Sequence, residues 1–381
     1  MATSTAAPNT AKPLIVLTAG GTGGHVFPAE SLAAELQARG YRLAFITDAR
    51  GKGYSGVLGS LDTHHVTAAQ MLGRGLLGKI AGALRLLRGT IEARAILRRL
   101  SPAVVVGFGG YASVPAVAAA GQLAIPTLLH EQNAVLGRAN RLFSAKATRI
   151  ATSFDQVRFL PAATTDAPQQ VIKTGMPVRA AIRAAAETPY PSLDADAPLE
   201  ILILGGSQGA RVLSDVLPAA FKALPAALQA RLRISQQARP EDLERVRASY
   251  ADSGLSVDVQ SFFDDVPARL ARAALVIGRA GSSTVAECAV IGRPALFVPL
   301  PSAADDHQTA NAQAMEASGG AWMIPQSRFS AETVADQLAG LLSQPATLEA
   351  AAAAAKAFAL PDAASRLADA VETLLRQETR P

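Results

Sequence analysis

Thr18–Ala29 reads TAGGTGGHVFPA, and it follows the apolar run Leu14–Leu17 and opens a helical pattern. A strand that ends in glycines and restarts as a helix marks the entrance of a βαβ unit. Gly20, Gly21, Gly23 and Gly24 free the backbone for positive φ and for close approach to a ligand. The helix that starts there offers unpaired N–H groups and a partial positive charge to an anion such as phosphate. Ile201–Asp215, ILILGGSQGARVLSD, repeats the design in the second half, with Gly205, Gly206 and Gly209 in the turn and Ser207 adding a hydroxyl donor. Two such entrances in one chain predict an α/β protein of two doubly wound, Rossmann-like domains facing a central cleft.

Outward from these loops, short β-branched runs alternate with longer helical ones. Leu14–Leu17, Leu43–Thr47, Val104–Val106, Thr127–Leu129, Arg149–Thr152 and Val171–Lys173 read as buried strands of a first series. Leu199–Leu204, Leu232–Ser235, Val257–Gln260, Leu275–Ile277 and Ala295–Val298 form a second. Strands separated by helices imply parallel sheets with right-handed crossovers. Between the series lies ETPYPSLDADAP, Glu187–Pro198, rich in proline and acid, so the boundary falls near residues 176–198. The expected domains are residues 12–176 and 177–360, with a last helix, Ala363–Gln377, packing back across the boundary.

A length of 381 residues suits two domains, and 49% hydrophobic against 18% charged residues gives each a core. Aromatics at 5% argue against a surface that stacks nucleic-acid bases. Cys288 is the single cysteine, which excludes an internal disulfide; within an apolar run it reads as packing. Met1–Lys12 lacks the apolar segment of a signal peptide, and apolar runs elsewhere are broken well before ~18 residues, so the expectation is a protein with at most peripheral membrane contact. Met71–Leu100 holds seven basic residues and one acid, more positive than the +5 of the whole chain. Leucines and isoleucines are interleaved at helical spacing. Such a stretch suits anionic headgroups, at ~1 kcal/mol per basic residue near the surface; it suits equally a solvated outer helix packed on its own sheet.

Four further loops follow strands. Gly107–Ala116, GFGGYASVPA, sets Gly109, Gly110 and Tyr111 at a cleft edge or in a simple tight turn. Leu129–Arg141, LHEQNAVLGRANR, places His130, Glu131, Gln132 and Asn133 at a strand end, where polar groups need a ligand or one another. Asn133 is expected to face substrate while His130 or Glu131 stabilises the turn. Gly278–Glu287, GRAGSSTVAE, ends a strand and begins a helix: Ser282, Ser283 and Thr284 can receive phosphate, and Glu287 can accept from both hydroxyls of a ribose. Pro299–Asn311, PLPSAADDHQTAN, carries Asp305, Asp306, His307 and Gln308. The first loop is no P-loop, lacking Lys-Ser/Thr, and its glycines do not fit G-x-G-x-x-G. Asp194-Ala-Asp196 has the spelling of a cation-binding pair but precedes a strand, so it reads as a solvated loop, and no metal site is expected.

Taken together, GGTGGHVFPA, GGY, HEQN, GGSQGAR and GSSTVAE in this order resemble the lipid I N-acetylglucosaminyltransferases of peptidoglycan synthesis, a family of GT-B architecture, from Leu14 to about Leu375. The resemblance implies inverting transfer of N-acetylglucosamine from UDP-N-acetylglucosamine to the 4-hydroxyl of the muramyl sugar of lipid I, without metal or cofactor. It implies His25 as general base, and Thr22, Gly23 and Gly24 beside the donor sugar and diphosphate. Asn133 and Gln308 would bond the sugar hydroxyls, Ser207 a phosphate oxygen and Glu287 the ribose. Phe263 would read the uracil edge, and Arg179 would come from the linker GMPVR. Tyr111, Ser282, Ser283 and Thr284 complete the expected substrate contacts.

Two positions depart from the family: Met176 stands where asparagine is usual, and Ser282-Ser283 where many relatives have small apolar residues. The family acts at the cytoplasmic face of the inner membrane, which makes 72–87 the expected docking surface and the lipid-linked muramyl-pentapeptide the acceptor. Nucleic acid is not an expected partner. Other readings are a UDP-N-acetylglucosamine 2-epimerase on the same scaffold, a nicotinamide oxidoreductase, and a non-catalytic membrane-associated binding protein.

Overall fold

The structure is a computed structural model that describes residues 12–21, 23–49, 56–68, 76–162, 170–206 and 209–378. Thr22, Ser207 and the first residues of the basic stretch lie outside these ranges. The first half forms a seven-stranded parallel sheet of β1 (Leu14–Thr18), β2 (Arg42–Thr47), β3 (Asp62–His65), β4 (Val104–Gly107), β5 (Thr127–Glu131), β6 (Arg149–Thr152) and β7 (Val171–Lys173), in the order β3-β2-β1-β4-β5-β6-β7. Its helices are α1 (Gly23–Ala38), α2 (Gly56–Ser60), α3 (Leu76–Leu100), α4 (Val114–Gln122) and α5 (Arg138–Arg141).

After α6 (Ala180–Ala185) comes a six-stranded parallel sheet in the order β10-β9-β8-β11-β12-β13. Its strands are β8 (Leu199–Leu204), β9 (Leu232–Gln237), β10 (Ser256–Gln260), β11 (Leu275–Gly278), β12 (Ala295–Phe297) and β13 (Ala321–Met323). Between and after them run α7 (Arg211–Lys222), α8 (Ala226–Gln229), α9 (Leu243–Tyr250), α10 (Val266–Arg272), α11 (Ser282–Ile291), α12 (His307–Ala317), α13 (Ala331–Leu342), α14 (Pro345–Phe358) and α15 (Ala363–Glu378). The two doubly wound, Rossmann-like halves of the sequence reading are the observed architecture.

Central strands β1, β4, β5, β6 and β11 are buried along their whole length, as parallel strands covered on both faces must be. Two strands escape the sequence reading. β3 reads DTHH with exposed ends, so it has no apolar run to betray it; its position is an edge, where polar residues are tolerated. β13, AWM, is a three-residue edge strand and too short for periodicity.

Strand order decides where chemistry can occur. In the first sheet the winding reverses between β1 and β4, and in the second between β8 and β11. At such a switch point adjacent loops part to opposite faces and leave a crevice at the strand C-termini. The loops after β1, β4, β8 and β11 are four of the six singled out in the sequence. Gly20 and Gly110 show how tightly the first pair mesh. A Cβ on Gly20 would stand 2.3 Å from the Ala112 Cβ; one on Gly110, at φ +73, would stand 2.6 Å from the Gly20 carbonyl oxygen. Of the glycines in the first turn, Gly21 alone takes positive φ among the described residues, since Gly23 and Gly24 already belong to α1.

The C-terminal helix returns to the first half. Leu367, Val371 and Leu374 of α15 are buried with Ile15, Leu17, Leu32, Leu36 and Val104 in one core. Each such side chain contributes ~1.5–3 kcal/mol on burial. Arg39, just past α1, pins the helix with ion pairs to Asp369 at 2.6 Å and Glu372 at 3.4 Å. Across α3, Ala93 and Leu97 face the core, while Ile80, Leu84, Leu87 and Ile91 form an exposed row. Leu97, one of the leucines of the interleaved pattern, is therefore a core residue and not part of the outer row. Among the described residues no helix is long and apolar enough to cross a membrane.

Candidate active site

His25 sits in the first turn of α1, with its ring against the glycine turn after β4; a Cβ on Gly110 would come within 3.3 Å of its Cδ2. Its Nδ1 lies 3.1 Å from the side-chain oxygen of Gln132, which follows β5. The Gln132 amide nitrogen donates to the carbonyls of Phe108 (2.9 Å) and His130 (3.0 Å) and lies 3.0 Å from His130 Nδ1. His130 Nε2 in turn meets the Gly175 carbonyl at 3.1 Å. The chain of contacts crosses the adjacent C-terminal ends of β1, β4 and β5. Tyr111, in the same turn, neighbours the Arg138 guanidinium.

Burial pushes the His130 imidazole down to about 4, against the weaker pull of its bond to Gly175, and nearby His25 lowers it further. A histidine kept neutral in the fold binds fewer protons than in the unfolded chain, so its contribution is complete above ~6.5 and is lost as pH falls from there toward ~4. The expected size is about 3 kcal/mol. Urea unfolding between pH 7.5 and 4.5 should show this slope, and His130→Gln, which cannot titrate, should flatten it; an unchanged slope would contradict the burial argument.

The remaining polar residues after β5 divide between turn and cleft. Glu131 is consumed by the turn: it accepts from the Asn133 backbone N–H at 3.0 Å, Gly137 N–H at 2.8 Å and the Asn140 amide at 2.9 Å. Asn133 reaches the other half of the molecule, where its side-chain oxygen accepts from Asn311 at 3.0 Å; Asn311 also accepts from the Ala134 N–H at 2.8 Å.

In the second half, β11 ends at Gly278 and α11 begins at Ser282, with no acidic residue in its first turn to compete for an anion. Ser282 is buried, and the buried Ser283 hydroxyl has no hydrogen-bond partner among the described residues, a state that a bound ligand would relieve. Thr284 completes the turn. Glu287, one turn on, is 8% exposed, and its carboxylate accepts from Arg179 Nη2 at 3.0 Å. Desolvation holds its carboxyl above the usual range, and the Arg179 charge opposes this. The Arg179 guanidinium also stands 5.0 Å from the centroid of Phe27, two residues past His25.

Gln308 spends its carbonyl oxygen on the Leu300 N–H at 3.0 Å. Phe263 is buried under Arg269 after β10, the edge strand, three positions from β11. Met176 is buried, with the Ser153 hydroxyl 3.9 Å from its sulfur, and shares a small cavity with Ser282 at the seam between the halves. Asp194 is exposed and accepts from Ser192 at 2.6 Å, as a solvated loop would. Among the described residues no group of three or more His, Cys, Asp or Glu could hold a metal ion.

Sequence reasoning missed three features. Gln132 was quoted in its motif, yet nothing local shows that it touches His25. Asn311 bridges the halves from inside α12. Asp305 takes ion pairs from Arg138 and Arg141, and its backbone carbonyl also accepts from Arg158 at 2.9 Å. The arginines were visible in LHEQNAVLGRANR, but their target lies over 160 positions away.

Glycine turns and helix N-termini at the switch points of two Rossmann-like halves make up the GT-B architecture. Residues 15–152 match the glycosyltransferase family 28 N-terminal domain and residues 200–367 the family 28 C-terminal domain, so the chain belongs to glycosyltransferase family 28. The chain is 55% identical over 371 residues to a protein of Paramagnetospirillum magneticum, covering 97% of this chain and 99% of that one. A protein of Rhodospirillum centenum is 52% identical, with 94% and 93% covered. Both relatives are named UDP-N-acetylglucosamine–N-acetylmuramyl-(pentapeptide) pyrophosphoryl-undecaprenol N-acetylglucosamine transferase. The crystal structure of Acinetobacter baumannii MurG superposes with a TM-score of 0.75 at 31% identity, covering 95% of this chain and 99% of that one. A UDP-N-acetylglucosamine 2-epimerase of Neisseria meningitidis, at 15% identity and TM-score 0.65, shares the fold alone; 96% of this chain and all of that one are covered.

Proposed function

We propose that this chain transfers N-acetylglucosamine from UDP-N-acetylglucosamine to the 4-hydroxyl of the muramyl-pentapeptide of lipid I, forming lipid II. It thereby serves peptidoglycan biosynthesis and, through the cell wall, cell shape and division. The observation that carries this reading is the placement of Arg179: one guanidinium touches Glu287 on α11 and Phe27 beside His25 on α1. The first two turns of α1 and of α11 therefore lie within the reach of a single side chain, which supports one site shared by donor and acceptor.

His25 takes the proton of the acceptor hydroxyl as its oxygen attacks the anomeric carbon, and UDP departs from the opposite face, so the configuration inverts. The α11 N-terminus, the glycine turn after β8 with Ser207, and Arg179 offset the charge developing on the diphosphate. This is stabilisation by dipoles already in position, and it requires no cation. Glu287 receives the ribose and the backbone at Phe263 the uracil. Gln308 and Asn133 address the sugar, Thr22, Gly23 and Gly24 are assigned to the donor sugar and diphosphate, and Tyr111 completes the substrate contacts. Residues 12–176, closed by the helix 363–377, form the acceptor- and membrane-facing domain, and 177–360 the nucleotide-sugar domain. Transfer of label from UDP-N-acetylglucosamine to a lipid-diphosphate muramyl acceptor tests the function, and turnover should survive a chelator. Absence of labelled lipid would end the reading; loss of activity on chelation would end its cation-free part.

The acceptor is lipid-linked, and 72–87 is the proposed contact with the cytoplasmic face of the inner membrane. Ile80, Leu84, Leu87 and Ile91 are each 48–62% exposed in one row, flanked by exposed Arg85 and Arg88. An apolar row rimmed by cations on an otherwise packed helix suits insertion into an anionic interface. Leu84→Ser with Leu87→Ser should cut cosedimentation with anionic phosphatidylglycerol vesicles at least tenfold, given ~1.5–3 kcal/mol per buried leucine. The fold should be unaffected, and undiminished binding would move the docking surface elsewhere.

A further inference from the structure

We propose that Gln132 is a positioning residue that fixes the tautomer of His25, holding its proton on Nδ1 so that Nε2 is presented to the acceptor hydroxyl as a base. The inference rests on the reading of His25 as the base and deepens it. The orientation of the Gln132 amide follows from its neighbours. One end of the amide lies 2.9 Å from the Phe108 carbonyl oxygen and 3.0 Å from that of His130. Carbonyl oxygens only accept, so that end is the NH₂ group, and the opposite end, 3.1 Å from His25 Nδ1, is the oxygen. An amide oxygen cannot donate. His25 Nδ1 must therefore carry the hydrogen, and in the neutral ring the lone pair falls on Nε2, which has no hydrogen-bond partner among the described residues.

The anchor behind Gln132 is equally determined. His130 Nε2 faces the Gly175 carbonyl at 3.1 Å and must donate, which leaves His130 Nδ1, 3.0 Å from the Gln132 NH₂ group, as an acceptor that shares its two hydrogens with the Phe108 and His130 carbonyls. His130 is fully buried, and its burial keeps the ring neutral, as this arrangement needs: a protonated ring would aim N–H at N–H. His130 is the titratable side chain coupled to His25 through this contact; buried Glu131 is turned to the Asn133–Asn140 loop. Gln132 thus holds the imidazole as a buried carboxylate does in hydrolase triads, with a neutral group that does not itself hold charge. In those triads, loss of the correct tautomer lowers turnover by ~10⁴-fold.

The chain has five histidines, so the imidazole nitrogens can be read directly after selective ¹⁵N labelling, with His25→Ala identifying the His25 signals. The expected spectrum shows a protonated Nδ1 and an unprotonated Nε2 for His25, and Gln132→Met should shift protonation toward Nε2. Gln132→Met should also lower kcat ~10²-fold or more with little change in the donor KM. On a His25→Ala background Gln132→Met should cost nothing further, because a tautomer no longer exists to be lost; a purely structural role would cost the same in both backgrounds. Protonated Nε2 in the unaltered enzyme, or additive losses, would overturn the proposal while leaving the base assignment intact. Full turnover in His25→Ala would instead overturn the base assignment, and with it the purpose of the contact.

Discussion

His25→Ala is expected to lower kcat for transfer to the lipid acceptor by ~10²–10⁴-fold, while the donor KM stays within a few-fold of its original value. The asymmetry follows from location. His25 stands at the head of α1, bonded backward to Gln132 and without a partner at Nε2 among the described residues, whereas the groups proposed to hold the nucleotide, Ser283, Thr284 and Glu287, belong to α11. Removing the imidazole deletes the proton acceptor without touching the donor cradle, so the loss falls on the barrier and not on ground-state binding. A fall of that size corresponds to about 3–5 kcal/mol of activation free energy. Folding should be little affected, since His25 is only half-buried and its removal strands one amide oxygen, at ~1–3 kcal/mol. Steady-state kinetics with both substrates varied, alongside a thermal melt, makes the check. Turnover within tenfold of the original would show that another group, or water, takes the proton.

Glu287→Ala should raise the donor KM by ~10²–10⁴-fold with a smaller effect on kcat, on the basis of ~1.5–3 kcal/mol for each of two hydrogen bonds to a charged group. Glu287 lies beneath the first turn of α11, and its carboxylate is already charge-paired with Arg179. Ribose hydroxyls can approach as donors to that carboxylate, and Arg179, with 38% of its side chain exposed, can turn toward the diphosphate as they do so. A dideoxy-ribose donor analogue separates this role from mere packing. Without the hydroxyls, the original enzyme and Glu287→Ala should bind the analogue alike. A persistent difference between them would mean that Glu287 acts through Arg179 or the helix instead. Because desolvation raises the Glu287 carboxyl above the usual range, donor affinity should also begin to weaken at a higher pH than an exposed carboxylate would dictate.

Most of the fold was legible because parallel strands buried on both faces are written as continuous apolar runs, and the turns between them carry glycines at fixed places. Eleven strands announced themselves in this way. β3 did not, since an edge strand with polar residues has no apolar signature, and β13 was too short. The site was legible only in pieces. Residues 18–29 and 278–287 each carry a local instruction, strand then glycine turn then helix, because φ/ψ freedom and helix initiation are decided by neighbours in sequence. Met176 was visible as a departure from the family, and the structure gives it a buried place beside Ser153.

By itself the sequence determined the two Rossmann-like halves and the family, and it named candidate residues for phosphate, ribose and an acceptor hydroxyl, all of which depend on residue type and short spacing. Tertiary structure decided who touches whom. Gln132 meets His25 across 107 residues only because β4 is inserted between β1 and β5, which brings three strand ends side by side. Arg179 meets Glu287 only because the linker segment and α6 pack against α11. Sheet order and domain packing are set by the summed burial of whole faces, and no short stretch of chain contains that information.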